Sequence, residues 1–217
     1  MIRSAILSAF VLFSTVAFSQ KQKGSFIIAG GAHYCQNSGV FNLNYNGDCL
    51  VGSMLREDVK QTGATFFDAT FLYRQPLKFR ISLLLGIGLN QKGFVETGMQ
   101  HLWNETQRSA YASRRKLTYT GIMAGISVEA LRFKKVSVSI AGLINPELLV
   151  AKDNYLERRV GSVRAYVDVA YKCSEKMTLH LMPFCQTALD NYSKKVIWPE
   201  GQFFRPYSAG INVGVSF

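Results

Sequence analysis

The chain is poor in the side chains that most site chemistry needs. It has three histidines, His33, His101 and His180, and they fall in no ligand spacing. Its four cysteines, Cys35, Cys49, Cys173 and Cys185, are equally scattered. A structural zinc site needs four clustered ligands, so a metal motif is excluded, and no Gly-rich loop is present to cradle phosphate. Beyond residue 20 there is no run of about eighteen apolar residues, which excludes a membrane-spanning helix. The longest run, Ile81 to Leu89, is broken by Ser82 and glycines. Acidic residues are also few, 14 against 25 Lys and Arg, for a formal charge of +11. Such an excess suits nucleic acid, anionic lipid or acidic polysaccharide.

What is present begins with a leader. Met1-Ile2-Arg3 gives a positive start, Ala5 to Phe18 is apolar, and Ala17-Phe18-Ser19 fits a small-x-small cleavage site. Residues 1–19 therefore read as a secretory signal peptide, with 20–217 as the mature domain. No cysteine follows the cleavage site, which argues against a lipoprotein. Export argues against a nucleic-acid partner. The basic clusters at Arg114-Arg115-Lys116, Arg158-Arg159 and Lys194-Lys195 then read as contacts to lipopolysaccharide phosphates or as solvated loop faces. Export also permits disulfides. Cys35 and Cys49 flank one proposed loop and could bridge, whereas Cys173 and Cys185 lie on adjacent strands but not opposite each other.

The rest of the chain is written in period two, the alternation of strands. In residues 207–217, Tyr207, Ala209, Ile211, Val213, Val215 and Phe217 share one face, and Ser, Gly and Asn share the other. Similar segments are expected at 25–34, 64–74, 78–94, 117–131, 136–151, 161–172 and 176–189. Leu84 breaks the pattern, and a slip near Pro183 predicts a bulge. The connections at 75–77, 132–135 and 173–175 are short. Those at 35–63, 95–116, 152–160 and 190–206 are longer. An all-β fold is expected: an eight-stranded antiparallel up-and-down transmembrane β-barrel, with short turns and both termini periplasmic.

The inward-pointing positions carry Asp68, Arg74, Arg80, Lys92, Glu129, Glu147, Arg164, Asp168, His180 and Asn212. Eight strands leave a lumen just wide enough for side chains to fill. Charges of both signs enclosed there are expected to pair, because a lone buried charge is costly. The expectation is a plugged, salt-bridged core; a narrow polar conduit is the alternative. An acyl-transfer site would need a nucleophile with a base. His101, near Glu105 and Ser109 in an outer loop, offers a weak version, and His180 falls near the wrong end. No cofactor is expected.

Two segments carry a resemblance. Leu-Leu-Gly-Ile-Gly-Leu-Asn-Gln-Lys-Gly-Phe at 84–94 resembles the third-strand segment of the small outer-membrane β-barrel domain family, which includes PorT-like and "porin family" proteins of Gram-negative bacteria. Gly-Leu-Ile-Asn-Pro at 142–146 resembles its fifth-strand segment more weakly. The strand bearing Tyr207, Val213, Val215 and Phe217 resembles the signal strand that the barrel-assembly machinery recognises. The family resemblance implies an eight-stranded barrel; with the basic clusters and the C-terminal strand, the expected location is the outer membrane, and the expected partners are its lipid and lipopolysaccharide, the barrel-assembly machinery and an envelope protein. The resemblance implies no chemistry, since the fold hosts several. The expected role is a non-enzymatic barrel whose surface loops bind or adhere, or which supports an envelope or secretion assembly. The alternatives are a lipid A-modifying enzyme and a narrow channel.

Overall fold

Period-two alternation leaves each strand with one apolar and one polar face, and closing the sheet lets both be satisfied while removing its free edges. The computed structural model describes residues 24–37, 54–102, 109–150, 157–192 and 205–217. The expected signal peptide and Cys49 lie outside them. The strands are β1 (Ser25–Asn37), β2 (Met54–Thr62), β3 (Ala64–Pro76), β4 (Ile81–Leu102), β5 (Ser109–Arg132), β6 (Val136–Leu149), β7 (Arg159–Lys172), β8 (Thr178–Ala188) and β9 (Pro206–Ser216). No helix occurs among the described residues.

β1 pairs antiparallel with both β3 and β9, so the sheet closes on itself in the order β1-β3-β4-β5-β6-β7-β8-β9. β2 continues β3 beyond Gly63 and pairs with the same neighbour, β4. The ring therefore has eight strands. Gly63 marks the join for a steric reason: a Cβ there would come within 2.4 Å of the hydroxyl end of the Tyr34 side chain. Three short turns, the start of β1 and the end of β9 gather at one rim, the turn end. The longer connections gather at the other, the loop end.

The outer surface is an apolar belt that includes Ile28, Ile87, Ile122, Ile140, Ile211 and Val213, all exposed. A continuous apolar surface of this kind suits lipid rather than water. Tyr34 and Tyr207 stand near its loop-end margin, and Tyr73, Tyr171 and Phe217 near its turn-end margin, as interfacial girdles do. Phe26 stacks on Phe71, with ring centroids 5.5 Å apart, within the same belt.

Several expectations are corrected. The 35–63 connection contains β2, and β4 and β5 run on through 95–102 and 109–116 as a paired hairpin. Beyond the lipid belt an outward face need not be apolar, so this pairing left no alternation to read. Gln75 and Pro76 still belong to β3, and the turn is 77–80. Leu84 keeps its inward parity and is buried. Pro183 makes no bulge: β8 holds a single register with β9 from Thr178 to Thr187. The apparent slip arose because Met182 and Phe184 are apolar side chains that point inward.

Candidate functional site

The lumen is filled in three levels. At the turn-end level, Arg74 Nη2 lies 2.5 Å from Asp168 Oδ2. Asp168 Oδ1 lies 2.8 Å from His180 Nδ1, and His180 Nε2 lies 2.9 Å from Ser216 Oγ. Asp168, His180 and Ser216 come from β7, β8 and β9, three consecutive strands of the wall. Their inward parity aligns them.

This chain has the connectivity of a Ser-His-Asp triad. Acyl transfer also needs preorganised donors for the oxyanion. Here Ser216 sits in register with β8 and β1, and the Phe217 N–H donates to the Phe26 carbonyl at 3.2 Å. The flanking amides are thus held in the wall. The arrangement ties three strands together and gives Asp168 two partners.

The middle level is apolar. Ile27, Leu72, Leu84, Met123, Leu143, Tyr166, Met182 and Phe184 pack as one cluster across the lumen. The void between this layer (Leu72, Leu143, Tyr166, Met182, Phe184) and the polar side chains of Thr70, Arg164 and Asn212 beside it is about 10 Å3, about the size of one water-sized probe. This layer separates the two polar levels.

The loop-end level is a larger polar network. Arg164 Nη1 lies 2.6 Å from Asp68 Oδ2, while its Nε and Nη2 donate to Gln186 Oε1 at 3.0 and 2.7 Å. Asn90 donates to the same oxygen at 2.9 Å. Gln186 Nε2 donates to Ser162 Oγ at 2.7 Å and to Glu147 Oε1 at 3.1 Å. Glu147 pairs with Lys92 and accepts from Tyr192 Oη at 2.6 Å. The Lys92 ammonium also lies 4.7 Å from the centre of the Tyr192 ring. Its desolvation is offset by an anion, a hydroxyl and an aromatic face together. Tyr192 itself packs with Phe94, Tyr119, Leu149 and Val160 over this level.

Of the residues singled out from sequence, Asp68, Glu147, Arg164 and Asp168 are buried in the lumen. Glu129 is half-buried at the turn-end mouth and pairs with Arg132 at 2.6 Å. Arg80 is not in the interior. It lies exposed in the 77–80 turn, where its φ of 62° takes it off the strand alternation. Tyr207, Val213 and Phe217 project outward, Val215 is half-exposed on the same face, and β9 closes the ring between β8 and β1. Cys35 is buried, and its suggested partner Cys49 is outside the described residues. Cys173 and Cys185 are exposed free thiols.

Sequence reading missed Gln186 and Tyr192. Gln186 has inward parity on β8, but the supposed slip at Pro183 hid it. Tyr192 lies in a connection, where no periodic signal exists. Among the described residues no cluster of His, Cys, Asp and Glu is arranged to hold a metal.

An eight-stranded antiparallel ring with an apolar belt and a filled lumen defines the transmembrane β-barrel class. No family model and no curated protein matches the chain. The PorT-like resemblance therefore rests on the residues quoted for it. Solved structures similar to this one include OprG, an outer-membrane protein of Pseudomonas aeruginosa (TM-score 0.47, 10% identity, covering 90% of this chain and 95% of that one). Another is AlkL, an outer-membrane protein solved in lipid bilayers (TM-score 0.48, 11% identity, 92% of each chain). A third is outer membrane protein W of E. coli (TM-score 0.41, 15% identity, 91% of this chain and all of that one, 100%).

Proposed function

We propose that this chain is an integral outer-membrane barrel whose lumen is a structural tie and whose loop end is a binding surface. It serves adhesion or the support of an envelope or secretion assembly, not catalysis. The turn end, with both ends of the barrel domain, faces the periplasm. The observation that carries this reading is the projecting sheet at the loop end. β4 has 22 residues and β5 has 24, about twice the nine to eleven a tilted spanning strand needs. β5 pairs with β6 only from Tyr119 onward, and Thr118 still accepts from the Val150 N–H, so residues 109–117 have no backbone partner on the β6 side and extend beyond it beside β4 and β2.

Arg114, Lys116, Arg158 and Arg159 are exposed at this end. They suit the phosphates of lipopolysaccharide, in keeping with the basic charge of the chain. Arg114 is preset for such a role: it donates to the Thr65 carbonyl and lies 5.0 Å over the Phe66 ring.

The test replaces residues 98–111 with an Asn-Gly turn joining Thr97 to Ala112, which are paired across the hairpin. The expected result is a folded, heat-modifiable barrel in the outer membrane, with loss of the surface-adhesion or secretion phenotype of the wild type. An unchanged phenotype would refute the loop-end assignment. Altered lipid A mass spectra on deletion of the whole protein would favour the enzyme alternative instead.

A further inference from the structure

The turn-end mouth holds a cavity of about 430 Å3 that borders the turn-end network at Arg74 and is otherwise lined by residues outside the lumen network. Its walls are of two kinds. Leu77, Phe79 and Ile81 give an apolar side, and the hydroxyl-bearing Ser82, Ser137 and Ser139 give a polar one. Four charged residues complete it: Arg74, Lys78, Arg80 and Glu129. Two of them are already neutralised, Arg74 by Asp168 and Glu129 by Arg132. Lys78 and Arg80 have no acidic partner among the described residues. The cavity therefore carries two uncompensated cations. Glu129 Oε1, buried at its edge, lacks a hydrogen-bond partner.

The backbone points to the same place. Phe79 and Arg80 have φ of 59° and 62°, the left-handed pair of a tight hairpin where Asn-Gly is the ordinary choice. Strain of this kind is found at ligand clamps and other functional sites. Here it holds an aromatic ring and a guanidinium at the mouth of a cavity, where a glycine turn would present neither.

We infer that this mouth is a binding site for a small organic anion, a carboxylate or phosphate monoester on an apolar body. Lys78 and Arg80 supply the counter-charge, the three serines supply hydrogen bonds, and Leu77, Phe79 and Ile81 receive the apolar part. The volume lies within the range of small-molecule sites, roughly 300–1,000 Å3. The proposal is independent of the loop-end surface.

The experiment uses the full barrel domain, isotope-labelled and folded in neutral detergent micelles, titrated with phenyl phosphate and with benzoate. Benzylamine is the cationic control. The expected result is saturable shifts at the amides of Ser82, Ser137 and Ser139 with both anions and not with the amine. Lys78→Gln with Arg80→Gln should weaken binding by at least about tenfold, the loss of a charge-assisted contact. Ser137→Leu should block the cavity without altering charge, and Arg115→Gln at the other end should change nothing. Heat-modifiable migration reports folding of each variant. An equal response to benzylamine, an absence of saturation with the anions, or full affinity in folded Lys78→Gln/Arg80→Gln would each overturn the assignment.

Discussion

Arg74 meets Asp168 from the opposite side of the barrel. Their strands, β3 and β7, stand four places apart in a ring of eight, and the contact is 2.5 Å. The same two strands supply the second bridge, with the signs exchanged: Asp68 on β3 and Arg164 on β7 meet at 2.6 Å. Leu72 of β3 and Tyr166 of β7 lie between the bridges in the apolar layer.

Removing one partner of such a bridge leaves a buried charge with less compensation. Arg74→Met is expected to destabilise the barrel by about 3–5 kcal/mol. Adding Asp168→Asn should recover most of that loss, because no carboxylate is then left to compensate. Urea unfolding from lipid vesicles, followed by tryptophan fluorescence, measures both. Equal stability of the single and double variants would show that the bridge carries no such penalty.

The apolar layer predicts an electrically silent barrel. Planar-bilayer recordings of the wild type should show no ion conductance, because the lumen is closed by Leu72, Leu84, Met182, Phe184 and their neighbours. The triple variant Leu72→Ser, Met182→Ser, Phe184→Ser should admit water and pass current. Steady conductance in the wild type would establish the narrow-channel alternative.

The belt predicts a depth-dependent response to charge. Ile122, 61% exposed near the middle of the belt, should cost about 2–4 kcal/mol when changed to Arg. Leu131, 52% exposed beside the turn-end rim, should cost about 0–1 kcal/mol for the same change. Unfolding titrations in vesicles read both. Equal costs would mean that the belt does not follow the lipid core.

Orientation can be read with single cysteines in a background lacking the native thiols. Ser113→Cys on the projecting hairpin should label with a membrane-impermeant maleimide on intact cells. Lys134→Cys in the β5–β6 turn should label only after the outer membrane is opened. The opposite pattern would invert the proposed topology.

The parts of this fold that lie in lipid were readable because two solvents act on each strand. Ile87 and Gly88, or Val213 and Gly214, differ because one neighbour faces hydrocarbon and the next faces the lumen. Where that contrast ends, the signal ends too. The upper β4–β5 hairpin pairs through Gln100 and Ser109, yet its sequence carries little alternation, since beyond the belt its outward face need not be apolar and its inner face can bury a polar residue such as Glu96. The charged lumen residues were legible from parity alone. Their partners were not, because Arg74–Asp168 and Asp68–Arg164 depend on ring closure and strand stagger. Arg80 shows the reverse failure. Its parity was right for a strand, but a left-handed turn removed it from the strand altogether. The mouth cavity was invisible for the same reason, since the 77–80 turn forms one of its sides.

The exchanged signs of the two bridges also bear on how the chain finds its register. A strand displaced by an even number of residues keeps its apolar face in lipid, so alternation alone cannot reject the error. The charges can. Sliding β7 along the barrel axis so that Asp168 approaches Asp68 sets two carboxylates together, and the opposite slide brings Arg164 toward Arg74. Like charges enclosed together are strongly disfavoured. The contacts span 94 residues in the Arg74–Asp168 case, so they form only as the ring shuts. A barrel threaded with such a slip would therefore close only by enclosing like charges, so the two bridges favour the native register beyond what alternation alone can specify.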